Sequence, residues 1–349
     1  MNSVWSRTLS GLALTTIVGL AACGDSTGPE VVPPEQVAVV VNSVDNSLTV
    51  FPVADPAASI TIGLGGDGTP VGAAVAGNIV VVPLGLTPAV AVVDLGTGSV
   101  RHTIALPQGS GATGVALVGT EMALATNPQL NTVSVLDLVV GTRVAEIPVG
   151  QHPAVAVADE EFAYVLNRWL GPDFQPAGPG TVSVIELSTL EVVATISLTG
   201  TNPGAAVLDG NRLYVLHAGT WDGNDGSLSI VDSWARTEME HVTGFGNFPG
   251  SLTRGPDGRL YTASFSYGVA IWDPGTGAFA RSPDDAVQPG GMTAVSDVGF
   301  DQEGRLYAPR PFCSPGEPDL VFRLGTGFEV DTEIAVGNCP TAILFTATG

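Results

Sequence analysis

From about residue 37 onward the chain alternates short runs of Val, Ile, Leu, Thr and Ala with clusters of Gly, Pro, Asn and Asp, and no stretch shows a convincing helical period. Apolar runs this short, bounded by breakers, predict strands joined by turns. The runs recur in groups. Seven segments carry a short apolar strand that begins with Pro or a small residue: TPVGAAVAGN from Thr69, GATGVALVGT from Gly111, HPAVAVADE from His152, NPGAAVLDG from Asn202, FPGSLTRGPDG from Phe248, MTAVSDVGFDQEG from Met292 and CPTAILFTATG from Cys339. Each leads through a turn into a second strand and then a third, which often ends in Asp. A self-similar period of roughly 40 to 50 residues built only of strands and turns predicts a β-propeller.

The ends indicate how the ring closes. The first run, Val37 to Asn42, reads as a second strand, and the last, Pro340 to Thr346, as an innermost one. Neither is a whole blade, so the C-terminal strand is expected to join the N-terminal blade and close the ring, leaving no exposed edge. The expectation is an all-β fold over residues 37–349, with seven four-stranded antiparallel blades, six or eight being the competing count. Alternating Val and Ile would bury one side of each strand between blades. A strand-closing Asp can accept backbone N–H bonds from the next turn, and a leading Pro sits where no ladder donor is needed. The turns Pro256-Asp257-Gly258 and Gln302-Glu303-Gly304 call for a positive φ at Gly.

The N-terminus is of another kind. Arg7 precedes an apolar run from Leu9 to Ala22, too short for the roughly 20 residues of a spanning helix and typical of a signal segment. It ends in Leu20-Ala21-Ala22-Cys23, which resembles the bacterial lipobox. That resemblance implies cleavage before Cys23 and lipidation of its sulfur, and Gly24 in place of Asp implies an outer-membrane destination. Residues 1–22 then form a lipoprotein signal peptide and 23–36 the lipidated Cys with a Gly- and Pro-rich tether. Gly24-Asp25-Ser26-Thr27-Gly28 matches G-x-S-x-G formally, but that pattern carries a nucleophile only on a tight turn between strand and helix.

The third repeat is the most regular, with Asn127, Thr132-Val133-Ser134-Val135-Leu136-Asp137, Ile147-Pro148-Val149-Gly150 and Pro153. The fourth keeps Tyr164-Val165-Leu166-Asn167, Thr181-Val182-Ser183-Val184-Ile185-Glu186 and Asn202-Pro203. These segments resemble the YVTN-type propeller repeat of YncE-like proteins, strongly in repeats three and four and weakly in six and seven. Lactonases and some quinoproteins share the architecture, yet their metal and cofactor residues have no counterpart that can be placed here.

Charge narrows the partners. With 12 Lys plus Arg against 34 acids the formal net charge is −22, which suits a soluble monomer and opposes nucleic-acid binding. Residues ending the second strands form an expected ring at the channel mouth: Asn42, Pro83, Asn127, Asn167, His217, Ser264 and Arg310. His217 and Arg310 replace the repeat's Asn by groups that bind anions or metals. Two long loops, from Asn167 to Gly180 and from Ala218 to Gly226, bring Arg168, Trp169, Phe174, Trp221, Asp222, Asn224 and Asp225 to the same face. Aromatic and Arg residues on long loops suit recognition, and blade-top packing is the alternative. Asp222, Asn224 and Asp225 are weak candidates for Ca²⁺, lacking the spacing of an EF-hand, so no cofactor is expected.

With Cys23 assigned to the lipid, Cys313 and Cys339 remain, in loops on one face of an exported protein; a disulfide is expected, with free thiols or a soft-metal site as alternatives. Catalysis has little support. The His residues 102, 152, 217 and 241 show no metal-ligand spacing, and adjacent acids such as Asp284 and Asp285 suit solvated turns. The reading is a lipid-anchored extracytoplasmic binding or scaffolding propeller, on the outer membrane, for protein or glycan partners. The alternative is a propeller enzyme or redox accessory subunit with its site at the mouth.

Overall fold

The computed structural model describes residues 35–314 and 319–348. The expected signal segment, Cys23 and the tether up to residue 34 lie outside the described residues. The described chain forms seven four-stranded antiparallel sheets in a ring, each running from an innermost to an outermost strand. Blade four shows the plan: Pro153–Ala158, Phe162–Asn167, Pro179–Glu186 and Glu191–Thr201. The ring closes as expected. Pro340–Thr348 is the inner strand of blade one and pairs with Glu35–Asn42, which begins two residues before the expected Val37. These residues close the ring by themselves, so a chain starting at Gly24 carries the whole fold.

Strands are buried on both sides, not one. Val39, Val41, Leu48 and Val50 of blade one pack on Val80, Val82, Ala91 and Val93 of blade two. The alternate residues Val81, Val90 and Val92 face blade three, against Ala123, Ala125 and Leu136. A strand squeezed between two sheets needs apolar groups at every position, which is why the sequence contains unbroken runs such as Val39-Val40-Val41. Each fully buried Val contributes about 1.5–3 kcal/mol. Where the repeat drifts, aromatic rings replace this packing: Tyr214, Phe245 and Trp272 fill the space between blades five and six. At blade seven the inner strand shrinks to Gly299–Phe300. Gly299 is required there, since a Cβ would come within 2.8 Å of the Phe345 ring.

The strand-closing acids act as read. Asp94 Oδ1 accepts from the Gly96 and Thr97 N–H groups, and Asp137 Oδ1 from those of Val139 and Val140. They lie on one face of the ring. The loops from second to third strands, and from outer strands to the next blade, lie on the other, which is called the mouth face below. Glu35, paired with Thr348, enters on the face opposite the mouth, and Asn42 ends its strand beside Cys339.

Candidate functional site

The residues that end the second strands are not presented to solvent. Asn42, Asn127, Asn167, His217 and Ser264 are all buried. Register sets Asn127 opposite Thr132, and its Nδ2 donates to Thr132 Oγ1, Ser134 Oγ and Glu146 Oε1 at 3.1, 2.9 and 2.7 Å. Asn42 bridges Ser47 and Thr49 in the same way, and Asn167 bridges Thr181 and Ser183. The repeat's Asn and its T-x-S strand are thus two halves of one polar staple. The glycine three residues before a leading Pro lies directly over it: a Cβ on Gly337 would come within 2.6 Å of Asn42, and one on Gly150 within 2.6 Å of Asn167.

His217 takes the same role with a different side chain. Its Nε2 lies 2.7 Å from Ser229 Oγ, and that hydroxyl donates to Glu238 Oε1 at 2.5 Å. Because the serine proton goes to the carboxylate, the imidazole Nε2–H donates to the serine. The serine therefore sits between imidazole and acid, which is not the order of a nucleophilic triad. Burial, with the neighbouring His241, holds His217 down to about 3, so the ring is neutral. Burial opposes ionisation of Glu238, but donors from Ser229 and Thr199 outweigh it and hold the carboxyl below its ordinary value. Asn127, Asn167 and His217 are accordingly placed inside their blades and not on a ligand-facing rim.

Arg310 is also tied up, its guanidinium stacked 4.0 Å from the centre of the Phe312 ring and 5.4 Å from that of Phe322. Beside it Cys313 and Cys339 form a disulfide, 26 residues apart with Cα atoms separated by 4.2 Å. Asp319, which begins the third strand of blade seven, is completely buried and organises this corner. Its carboxylate accepts from the backbone N–H groups of Phe312, Cys313 and Cys339 at 2.6, 3.3 and 2.6 Å.

The accessible site lies on the other side of the mouth. A pocket of about 480 Å³ opens between blades two and five, walled by Leu86, Pro128, Leu170, Phe174 and Trp221, with Gln129 and His152 at its side and Arg168 at its base. Trp221 is the strut. Its Nε1 donates to the Phe174 carbonyl at 2.8 Å, and its ring stacks on Phe248 at 4.6 Å between centroids. Trp169 is exposed on the same loop as Phe174 and does not line the pocket. The metal candidates are drawn elsewhere: Asp225 accepts from the Thr220 N–H and hydroxyl, while Asp222 and Asn224 are exposed. Among the described residues no group of three or more His, Cys, Asp or Glu is arranged to hold a metal.

Below the pocket the central channel continues as a cavity of about 710 Å³, lined by the inner strands and sharing Arg168 with the pocket. It contains one cation and one carboxylate. Arg168 Nε donates to the Pro203 carbonyl at 3.4 Å, and among the described residues no acid pairs with it. Desolvation lowers its pKa to about 10, which leaves it charged. Asp297, between blades seven and one, accepts from the Val298 and Ile343 N–H groups at 2.8 and 2.9 Å. Burial raises it to about 6, against the pull of those donors. His152 is lowered, first by burial and then by Arg168, and is neutral.

His152 and Phe248 are site residues the sequence reading did not select. Both stand immediately before a leading Pro, as do Asn202 and Cys339, and all four adopt a positive φ. That backbone turn aims His152 into the pocket and sets Phe248 under Trp221. The recurrence of a non-glycine residue before the leading Pro was the available signal.

No known protein family matches the chain, and no curated protein matches it. Among solved structures it is similar to a functionally unknown protein from Desulfotomaculum acetoxidans, at 16% identity and a TM-score of 0.64 over 90% of this chain and 99% of that one. It is also similar to the computationally designed Ika8 protein, at 16% identity and a TM-score of 0.56 over 87% and 85% of the two chains. Kuenenia stuttgartiensis hydrazine synthase matches at 17% identity and a TM-score of 0.54, over 70% and 73%. At these identities the likeness is one of fold.

Proposed function

We propose that this chain is a lipid-anchored, extracytoplasmic propeller of the YVTN/YncE-like kind that binds an envelope protein or glycan through its mouth face. The observation that carries this reading is the clustering of Trp169, Phe174 and Trp221 on one arc of that face, exposed on two long neighbouring loops beside a pocket, whereas the exposed apolar residues of the other mouth loops, such as Val44 and Phe265, stand singly. Exposed aromatic side chains grouped on loops are common anchors of recognition. The Asn and T-x-S staples support the repeat type, and the disulfide suits an oxidising compartment. Anchorage at Cys23 is in keeping with the chain entering at Glu35, on the face away from the mouth. The eleven residues between them span at most about 40 Å.

The test is a pull-down from the native envelope with the chain that starts at Gly24. A partner captured by the parent and lost with Trp169→Ala/Trp221→Ala, at an unchanged melting temperature, supports the reading. Equal capture by the double variant sinks it.

A further inference from the structure

We propose that the pocket between blades two and five is a receptor for a small organic acid, its carboxylate held by Arg168 and its apolar or aromatic body packed against Leu86, Phe174 and Trp221. This relies on the binding-face reading only for the choice of face. The chain has no lysine, and its net charge is −22. Six of the other described arginines pair with Asp or Glu, Arg236 lies over the Phe162 ring, and Arg101 and Arg212, without an ion pair, line neither of the two cavities. Arg310, also without one, is covered by two phenyl rings. Among the described residues Arg168 alone combines a guanidinium without an acid partner with a place in both cavities.

Its donors are aimed for use. Among the described residues only Nε has a protein acceptor, the Pro203 carbonyl, and Nη2 lies beside Gly204 on the inner strand of blade five. The terminal N–H groups therefore face open volume. A guanidinium with two free nitrogens matches a carboxylate fork to fork. The same partial desolvation that lowers its pKa strengthens its attraction for an anion relative to an arginine in bulk water. His152 is neutral at the pocket side and offers one further donor or acceptor without competing charge. A volume of about 480 Å³ lies within the range of small-molecule sites, and its walls are largely apolar. A bare inorganic anion would leave those walls unfilled.

The probes are indole-3-acetate and 3-phenylpropionate, each against its neutral carboxamide, titrated into the chain from Gly24 with Trp fluorescence and calorimetry as readouts. Saturable binding of the acids, with the amides about ten- to a hundredfold weaker, is the expected result. Arg168→Gln should abolish that discrimination while melting with the parent, and Arg168→Lys should retain part of it. Phe174→Ala should weaken acid and amide alike. Equal binding of acid and amide, or an undiminished preference in Arg168→Gln, overturns the proposal, as does absence of acid binding up to about 10 mM. Failure here with capture still lost in the Trp169/Trp221 variant removes the acid site and leaves the binding face. Acid binding with capture unaffected by that variant does the reverse.

Discussion

Two arcs of the mouth face depart from the repeat, one at blades seven and one and the other at blades two to five, and they spend their departures differently. In the first, the unusual groups are turned onto protein: Asp319 takes three backbone N–H groups, the cysteines bond to each other, and Arg310 is covered by phenyl rings although its buried Nε has no acceptor among the described residues. In the second, unusual groups are left over, with Arg168 unpaired and Leu86, Phe174 and Trp221 exposed. The same repeat position makes the contrast concrete. Before the leading Pro, Cys339 is locked in a covalent bond whereas His152 lines a pocket. A departure from a repeat is thus not itself a sign of binding; what matters is whether the fold already satisfies it.

Removal of the disulfide by Cys313→Ser/Cys339→Ser gives the largest effect expected from this contrast. Closing a loop of 26 residues is worth about 3 kcal/mol in the chain-entropy model, so the melt should fall while acid binding persists. Denaturant titration of the double variant measures it, and lost ligand binding in a still-folded protein would merge the two arcs.

Asp297 comes next. Its folded pKa of about 6 lies above its ordinary value, so protonation favours the native state. Stability present below about pH 4 is lost as pH rises through about 6, by on the order of 2–3 kcal/mol. Asp297→Asn should flatten that profile in denaturation curves taken between pH 4 and 7. An unchanged slope would show that the carboxyl does not titrate in this window.

Smaller effects test the staples and the rim. His217→Asn restores the repeat's own residue and should cost less than about 1 kcal/mol, whereas His217→Ala strips Ser229 of its donor and should cost about 1–3 kcal/mol. Chemical denaturation distinguishes them, and equal losses would mean the imidazole does more than staple. Trp169→Ala, on the exposed rim, should leave the melt nearly unchanged in calorimetry; a clear drop would make it a cover for blade four.

The ring and its closure were legible because period and strand type are written in most repeats, and the incomplete runs at the two ends complement each other. The cysteine pairing was legible from topology, since both loops fall on one face. The Asn ring was not. Whether Asn127 turns outward or across to Thr132 depends on pairing at the hairpin end, which spacing alone does not specify. The pocket was half legible: Arg168 and Trp221 stood out on long loops, but Leu86 and Pro128 sit in short turns of other blades that only the closed ring brings together. His152 looked like punctuation before a proline until its backbone turned it inward.

The strand Pro340–Thr348 also sets the order in which the molecule can be made. Its partner Glu35–Asn42 leaves the ribosome first and must wait, unpaired on that edge, until some three hundred residues later the final strand is delivered. A chain emerging stepwise across a membrane would therefore hold an open horseshoe with two sticky edges for most of its biogenesis. Ending the chain at Cys339 would leave that horseshoe permanent, a folding product for proteases and chaperones rather than a propeller.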